Sequence, residues 1–133
     1  MSGSFNYLVG GLGVIVVRVE NLKSFRSVDG SEVVEVIGAK SLGVKDLSVA
    51  IARVEVGGKT LRHRHDFTEV YYIEKGEGVM HVENDSRIVG PGDFILIPKG
   101  HRHFIENIGD AELVIWCICA PAFTVEGTKL EEG

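Results

Sequence analysis

Apolar and polar positions alternate along short segments of this chain with the two-residue period of strands. Glu32-Val-Val-Glu-Val-Ile37 and Leu47-Ser-Val-Ala-Ile-Ala-Arg-Val-Glu-Val56 are rich in β-branched residues, are bounded by glycine and are short for helices. Val14-Ile-Val-Val-Arg-Val19 has the same character, so a first strand is expected to begin near Val14. Further strands are expected over residues 69–74, 78–83, 94–97, 103–106 and 112–119. Turn-forming runs separate them: Lys75-Gly-Glu-Gly78, Glu83-Asn-Asp85, Gly90-Pro-Gly-Asp93 and Asn107-Ile-Gly-Asp110. No stretch sustains a 3.6-residue apolar period, so there is no place for a helix-turn-helix reader. The pattern predicts an all-β sandwich or barrel.

Length and composition narrow this picture. The chain has 133 residues, enough for one domain, and 17 glycines against 3 prolines, so it turns often and mostly on glycine. Its net charge is -5 and basic residues are scattered, which speaks against nucleic acid as a partner. Residues 1–17 carry no charged side chain, but no positive region precedes the apolar stretch and it is too short and glycine-rich to span a membrane. No membrane association and a cytoplasmic location are therefore expected. Cys117 and Cys119 stand two apart in one strand, at or past the reach of an unstrained disulfide, and are read as free thiols. The expected organisation is an arm over 1–13, a β-barrel domain over 14–123 and a polar C-terminal tail over 124–133.

Chemistry concentrates in two His-X-His pairs, His63-Arg-His65 and His101-Arg-His103. Strand alternation lets His63, His65 and Glu69 face inward together while Arg62 and Arg64 face out. Two imidazoles and a carboxylate converging on one point form a metal-site pattern.

The wider pattern resembles the cupin superfamily, small jelly-roll barrels, also described as a double-stranded β-helix, with a metal at the centre. Its first motif is matched by Gly57-Gly-Lys-Thr-Leu-Arg-His63-Arg-His65-Asp-Phe-Thr-Glu69-Val-Tyr-Tyr-Ile-Glu-Lys-Gly76. The second is matched by Gly92-Asp-Phe-Ile-Leu-Ile-Pro98-Lys-Gly100-His-Arg-His103-Phe-Ile-Glu-Asn107. The resemblance implies that His63, His65, Glu69 and His103 are metal ligands, whereas His101 falls off the motif. It is strongest for small single-domain members of the cupin 2 conserved-barrel type, labelled mannose-6-phosphate isomerase-like. It also implies a homodimer, with the apolar arm packed on a partner.

Imidazole and carboxylate donors accommodate a divalent transition metal, whether iron, manganese, nickel, copper or zinc. Three neutral imidazoles and one carboxylate leave open positions on an octahedral ion for a small-molecule ligand in the barrel. Phe67, Tyr71, Ile73, His81, Phe94, Phe104 and Trp116 are candidates for the pocket wall, although strand aromatics are more often core. Among them His81 is the candidate for a proton relay. Asn107 is a candidate for orienting a ligand, Arg53 for clamping an anion, and Arg62, Arg64, Lys99 and Arg102 for attracting one. Cys117 and Cys119 are read as small core residues rather than donors to a soft metal.

Two functions remain open at this point. One is a metal-dependent enzyme on a small oxygen-bearing molecule, of dioxygenase or isomerase/epimerase type. The other is a metal-containing module that binds or senses a sugar or organic acid without turnover, because one fold hosts many activities.

Overall fold

The computed structural model describes residues 13–131. Its strands are β1 (Phe25–Arg26), β2 (Glu32–Ile37), β3 (Ser48–Val54), β4 (His63–His65), β5 (Thr68–Lys75), β6 (Gly78–Val82), β7 (Asp85–Val89), β8 (Phe94–Ile97), β9 (His103–Asn107), β10 (Leu113–Ala120) and β11 (Thr128–Leu130). A single helical turn, α1 (Ala39–Leu42), links β2 to β3. The strands form two antiparallel sheets, ordered β1-β2-β3-β10-β5-β8 and β11-β4-β9-β6-β7. This is the all-β architecture expected from the alternation, in the jelly-roll form that the resemblance implied.

Burial follows the pleat: β9 reads buried at His103, Ile105 and Asn107 and half-buried between them. The larger sheet sends Ala52, Val54, Tyr71, Ile73, Ile97, Leu113 and Ile115 into the core, and the smaller sheet answers with Met80, Val89 and Ile105. One end of the barrel is closed tightly. At Gly76, with φ of 90°, a side-chain carbon would stand 2.8 Å from the Glu112 carbonyl oxygen, so only glycine fits there. Asn107 locks the same end: its Nδ2 donates to the Val54 and Ala111 carbonyls at 3.0 and 2.9 Å, and its Oδ1 accepts from Gly109 N at 2.9 Å. All its capacity goes to the backbone, so it orients no ligand.

Three sequence expectations change. Residues 14–18 form no strand, and Val14 and Val16 are 92% and 57% exposed; a β-branched run pairs only where an edge is offered to it. Asp85–Val89 is a strand that the turn signal at Glu83-Asn-Asp85 concealed; the turn itself is real, with Glu83 at φ 53°. The C-terminal segment is not all loose tail, because Thr128–Leu130 pairs with His65–His63. The arm lies almost wholly outside the described residues. No helix among the described residues is long and apolar enough to cross a membrane.

Candidate metal centre

Alternation in β4 turns His63 and His65 inward and Arg64 outward, where its guanidinium meets Glu131 at 2.6 Å. Glu69 enters from β5 in the opposite sheet, and β9 places His103 directly across from His63. The four side chains are buried, and one donor atom from each lies within 4.8 Å of all the others.

The imidazoles are held by their Nδ1 atoms. Those of His63 and His103 donate to the carbonyls of Leu61 and His101 at 2.7 and 2.9 Å. His65 Nδ1 meets Thr128 Oγ1 at 2.8 Å, and that hydroxyl donates onward to the Thr124 carbonyl, so it accepts from the imidazole. A proton on each Nδ1 leaves each Nε2 with a lone pair pointed inward, the tautomer a metal needs.

Glu69 Oε1 stands 3.2 Å from His65 Nε2 and 3.3 Å from His103 Nε2. Yet Glu69 Oε1 and His103 Nε2 are buried without a hydrogen-bond partner. Facing lone pairs repel, and two conditions relieve them: a proton that makes an imidazolium, or a cation between the atoms. Separations of this size suit two donors that would each lie ~2.1 Å from one ion, so these residues fit a divalent metal.

Burial raises the Glu69 carboxyl, and hydrogen bonds and charge from His103 and His65, which require a proton on their Nε2 atoms, hold it below the usual carboxylate range; a cation in the place of those protons acts in the same direction. Burial, then His103, lower His63 from 6.5 to about 4, so it is neutral near pH 7. Burial and the Glu69 charge push the thiols of Cys117 and Cys119 up, which keeps them protonated and poor as metal donors. Cys119 instead donates its S–H to Glu69 Oε2 at 3.3 Å, fixing which carboxylate oxygen faces the imidazoles.

Beside the cluster lies a cavity of about 50 Å³ walled by His63, His65, Glu69, Tyr71, Cys117 and Cys119 on one side. Asp29, in the β1–β2 turn, closes another side with Oδ2 at 3.8 Å from His63 Nε2. Reading the sequence missed Asp29, since a turn aspartate far upstream carries no local sign of where it folds. Of the predicted wall residues, Tyr71 lines the cavity, and Phe67 stacks on His65 with centroids 4.5 Å apart. Ile73 belongs to the core. Phe94 and Trp116 lie exposed on the outside, with Trp116 Nε1 donating to Glu74.

His81 is not brought into the cluster. It sits opposite Phe104 on β9, stacks on that ring and bonds Glu106 at 2.7 Å, on the outward parity of its strand. Arg53 pairs with Glu112, Arg102 with Glu83, and Arg62 lies over Phe104; none of them, nor Lys99, lines the cavity.

A family model described as Cupin domain matches residues 50–119. An uncharacterized protein of Methanocaldococcus jannaschii is 39% identical over 121 residues, covering 90% of this chain and 96% of that protein. The oxalate-binding protein of Thermotoga maritima is 28% identical over 109 residues, covering 77% of this chain and 90% of its own length. A solved structure described as a predicted oxalate decarboxylase, also from Thermotoga maritima, superposes with a TM-score of 0.71 at 25% identity, over 80% of this chain and 99% of that one.

Proposed function

The chain belongs to the cupin domain family, and on that premise we propose that His63, His65, Glu69 and His103 hold one divalent transition metal at which a small oxygen-bearing molecule is transformed. The observation that carries this reading is the buried pair Glu69 Oε1 and His103 Nε2, left without partners. Leaving such groups unsatisfied costs about 1–3 kcal/mol each, a cost that an ion between them removes. When bound, a divalent ion supplies Lewis acidity and open positions for a chelating oxygen ligand.

The chain's own residues do the rest. Backbone carbonyls and Thr128 hold the imidazoles in one tautomer, Cys119 fixes the Glu69 carboxylate, and Phe67 and Phe123 pack around His65. The reaction type is dioxygenase or isomerase/epimerase. A second reading, ligand binding without turnover, is supported by the similarity to an oxalate-binding protein.

Metal analysis of protein purified without added metal, followed by oxygen-uptake assays on diketones, thiols and hydroxy acids, tests these readings. Oxygen uptake supports a dioxygenase, and substrate conversion without uptake supports an isomerase. Ligand binding without conversion supports the second reading. A chain that neither carries a metal nor takes one up refutes both.

We further propose a homodimer in the cytoplasm. Exposed Val14, Phe94 and Leu96, at 92%, 70% and 64%, offer apolar surface to a second copy, and the two free cysteines suit a reducing compartment. Light scattering on a variant lacking residues 1–13 tests the arm's part in the dimer; an unchanged, stable dimer refutes it.

A further inference from the structure

We propose that Asp29 sets the ligand class of the cavity: a small, neutral molecule that donates hydrogen bonds, with dicarboxylates disfavoured. This rests on the metal reading above and deepens it. Asp29 stands in a turn closed by Gly30 N to the Ser27 carbonyl at 2.9 Å and Ser27 N to the Ser31 carbonyl at 2.8 Å. Its own carbonyl accepts from Leu61 N at 2.8 Å, which ties the turn to the segment leading into His63. Oδ1 is occupied by Ser31 N and Ser31 Oγ, at 3.0 and 2.7 Å. Only Oδ2 is left to face the cavity, on a side chain 13% exposed and 3.8 Å from His63 Nε2. The carboxylate is thus aimed from both ends of its turn, at a site whose Glu69 Oε1 and His103 Nε2 lack partners.

Charge decides the ligand. A divalent ion among three neutral imidazoles and the Glu69 carboxylate leaves a single net positive charge. Asp29 and Glu35 both stand on the cavity wall and more than cancel it, while no Lys or Arg among the described residues lines the cavity. A dicarboxylate would enter beside two carboxylates with no cationic side chain to pair with. A hydroxyl or amide ligand instead gives Asp29 Oδ2 a donor. The cavity is small, about 50 Å³, and suits an occupant of hydroxyketone or hydroxyamide size.

The test uses the full chain loaded with Mn2+, with water-proton relaxation reporting displacement of metal-bound water by oxalate or by neutral dihydroxyacetone. Asp29→Asn keeps the Oδ1 that Ser31 uses and removes the charge; retained Mn2+ shows that the variant is folded. Like charges a few ångströms apart in such a site are worth about tenfold or more in affinity. In Asp29→Asn, oxalate should bind at least tenfold tighter per bound Mn2+, and dihydroxyacetone should weaken. Opposite shifts cannot come from a merely structural role. Oxalate affinity that stays constant or falls in the variant overturns the inference while leaving the metal reading intact. A wild-type chain that retains no Mn2+ overturns both before any ligand is added.

Discussion

The barrel interior has two ends built by the same strands, and they are opposites. Along β9 the inward positions run His103, Ile105, Asn107; along β5 they run Glu69, Tyr71, Ile73. β10 runs from Leu113 and Ile115, both fully buried, to Cys119 beside Glu69. At the Leu113 end apolar side chains interlock and Asn107 is fully satisfied. At the His103 end the side chains are equally buried, yet two polar atoms lack partners. The pleat decides only which residues face inward; residue identity decides whether the space holds the fold together or is kept for a ligand. The closed end contributes stability that the open end gives up, a division common at functional sites.

The largest effect is expected from breaking the polar end. His63→Ala with His65→Ala should abolish metal retention in elemental analysis while circular dichroism still reports a β fold. Full occupancy in the double variant would assign the metal elsewhere. Leu113→Ala breaks the other end. It should cost about 2–5 kcal/mol in denaturant unfolding and leave metal stoichiometry unchanged, so a loss of metal equal to that of the histidine variants would erase the distinction between the ends.

A third expectation concerns pH. Burial, then His103, hold folded His63 near 4, against 6.5 when unfolded. Between those values the unfolded chain binds the proton and the folded chain does not. The metal-free protein should therefore keep this contribution above pH 6.5 and lose roughly 3 kcal/mol as pH falls to about 4. His63→Gln should flatten that part of the unfolding profile. The smallest effect belongs to Cys119, whose S–H bonds the carboxylate rather than an ion. Cys119→Ala should weaken metal binding about tenfold, read by competition with a chelator, with little change in melting temperature.

These ends were not equally legible in the sequence. Phe94–Ile97 is a strand with the expected bounds, and alternation turned His63 and His65 inward together, whereas Glu69 meets them from β5 in the facing sheet rather than along the same strand. His103 required the second motif, because its partner strand is distant in sequence and only folding sets it opposite His63. Asp29 was invisible, since nothing local says that its turn is tied to Leu61. β11 has too little apolar alternation to show, and it exists because β4 offers an edge. Val14–Val19 shows the converse: strand composition without an edge among the described residues to receive it.

The central claim is that one metal sits at the polar end on imidazole nitrogens and a carboxylate, with both cysteines outside its coordination. X-ray absorption at the metal edge of protein purified without added metal tests it most directly. The account predicts a shell of nitrogen and oxygen at roughly 2.0–2.2 Å with imidazole outer scattering. A sulfur shell at ~2.3 Å, or a spectrum without imidazole, would contradict it.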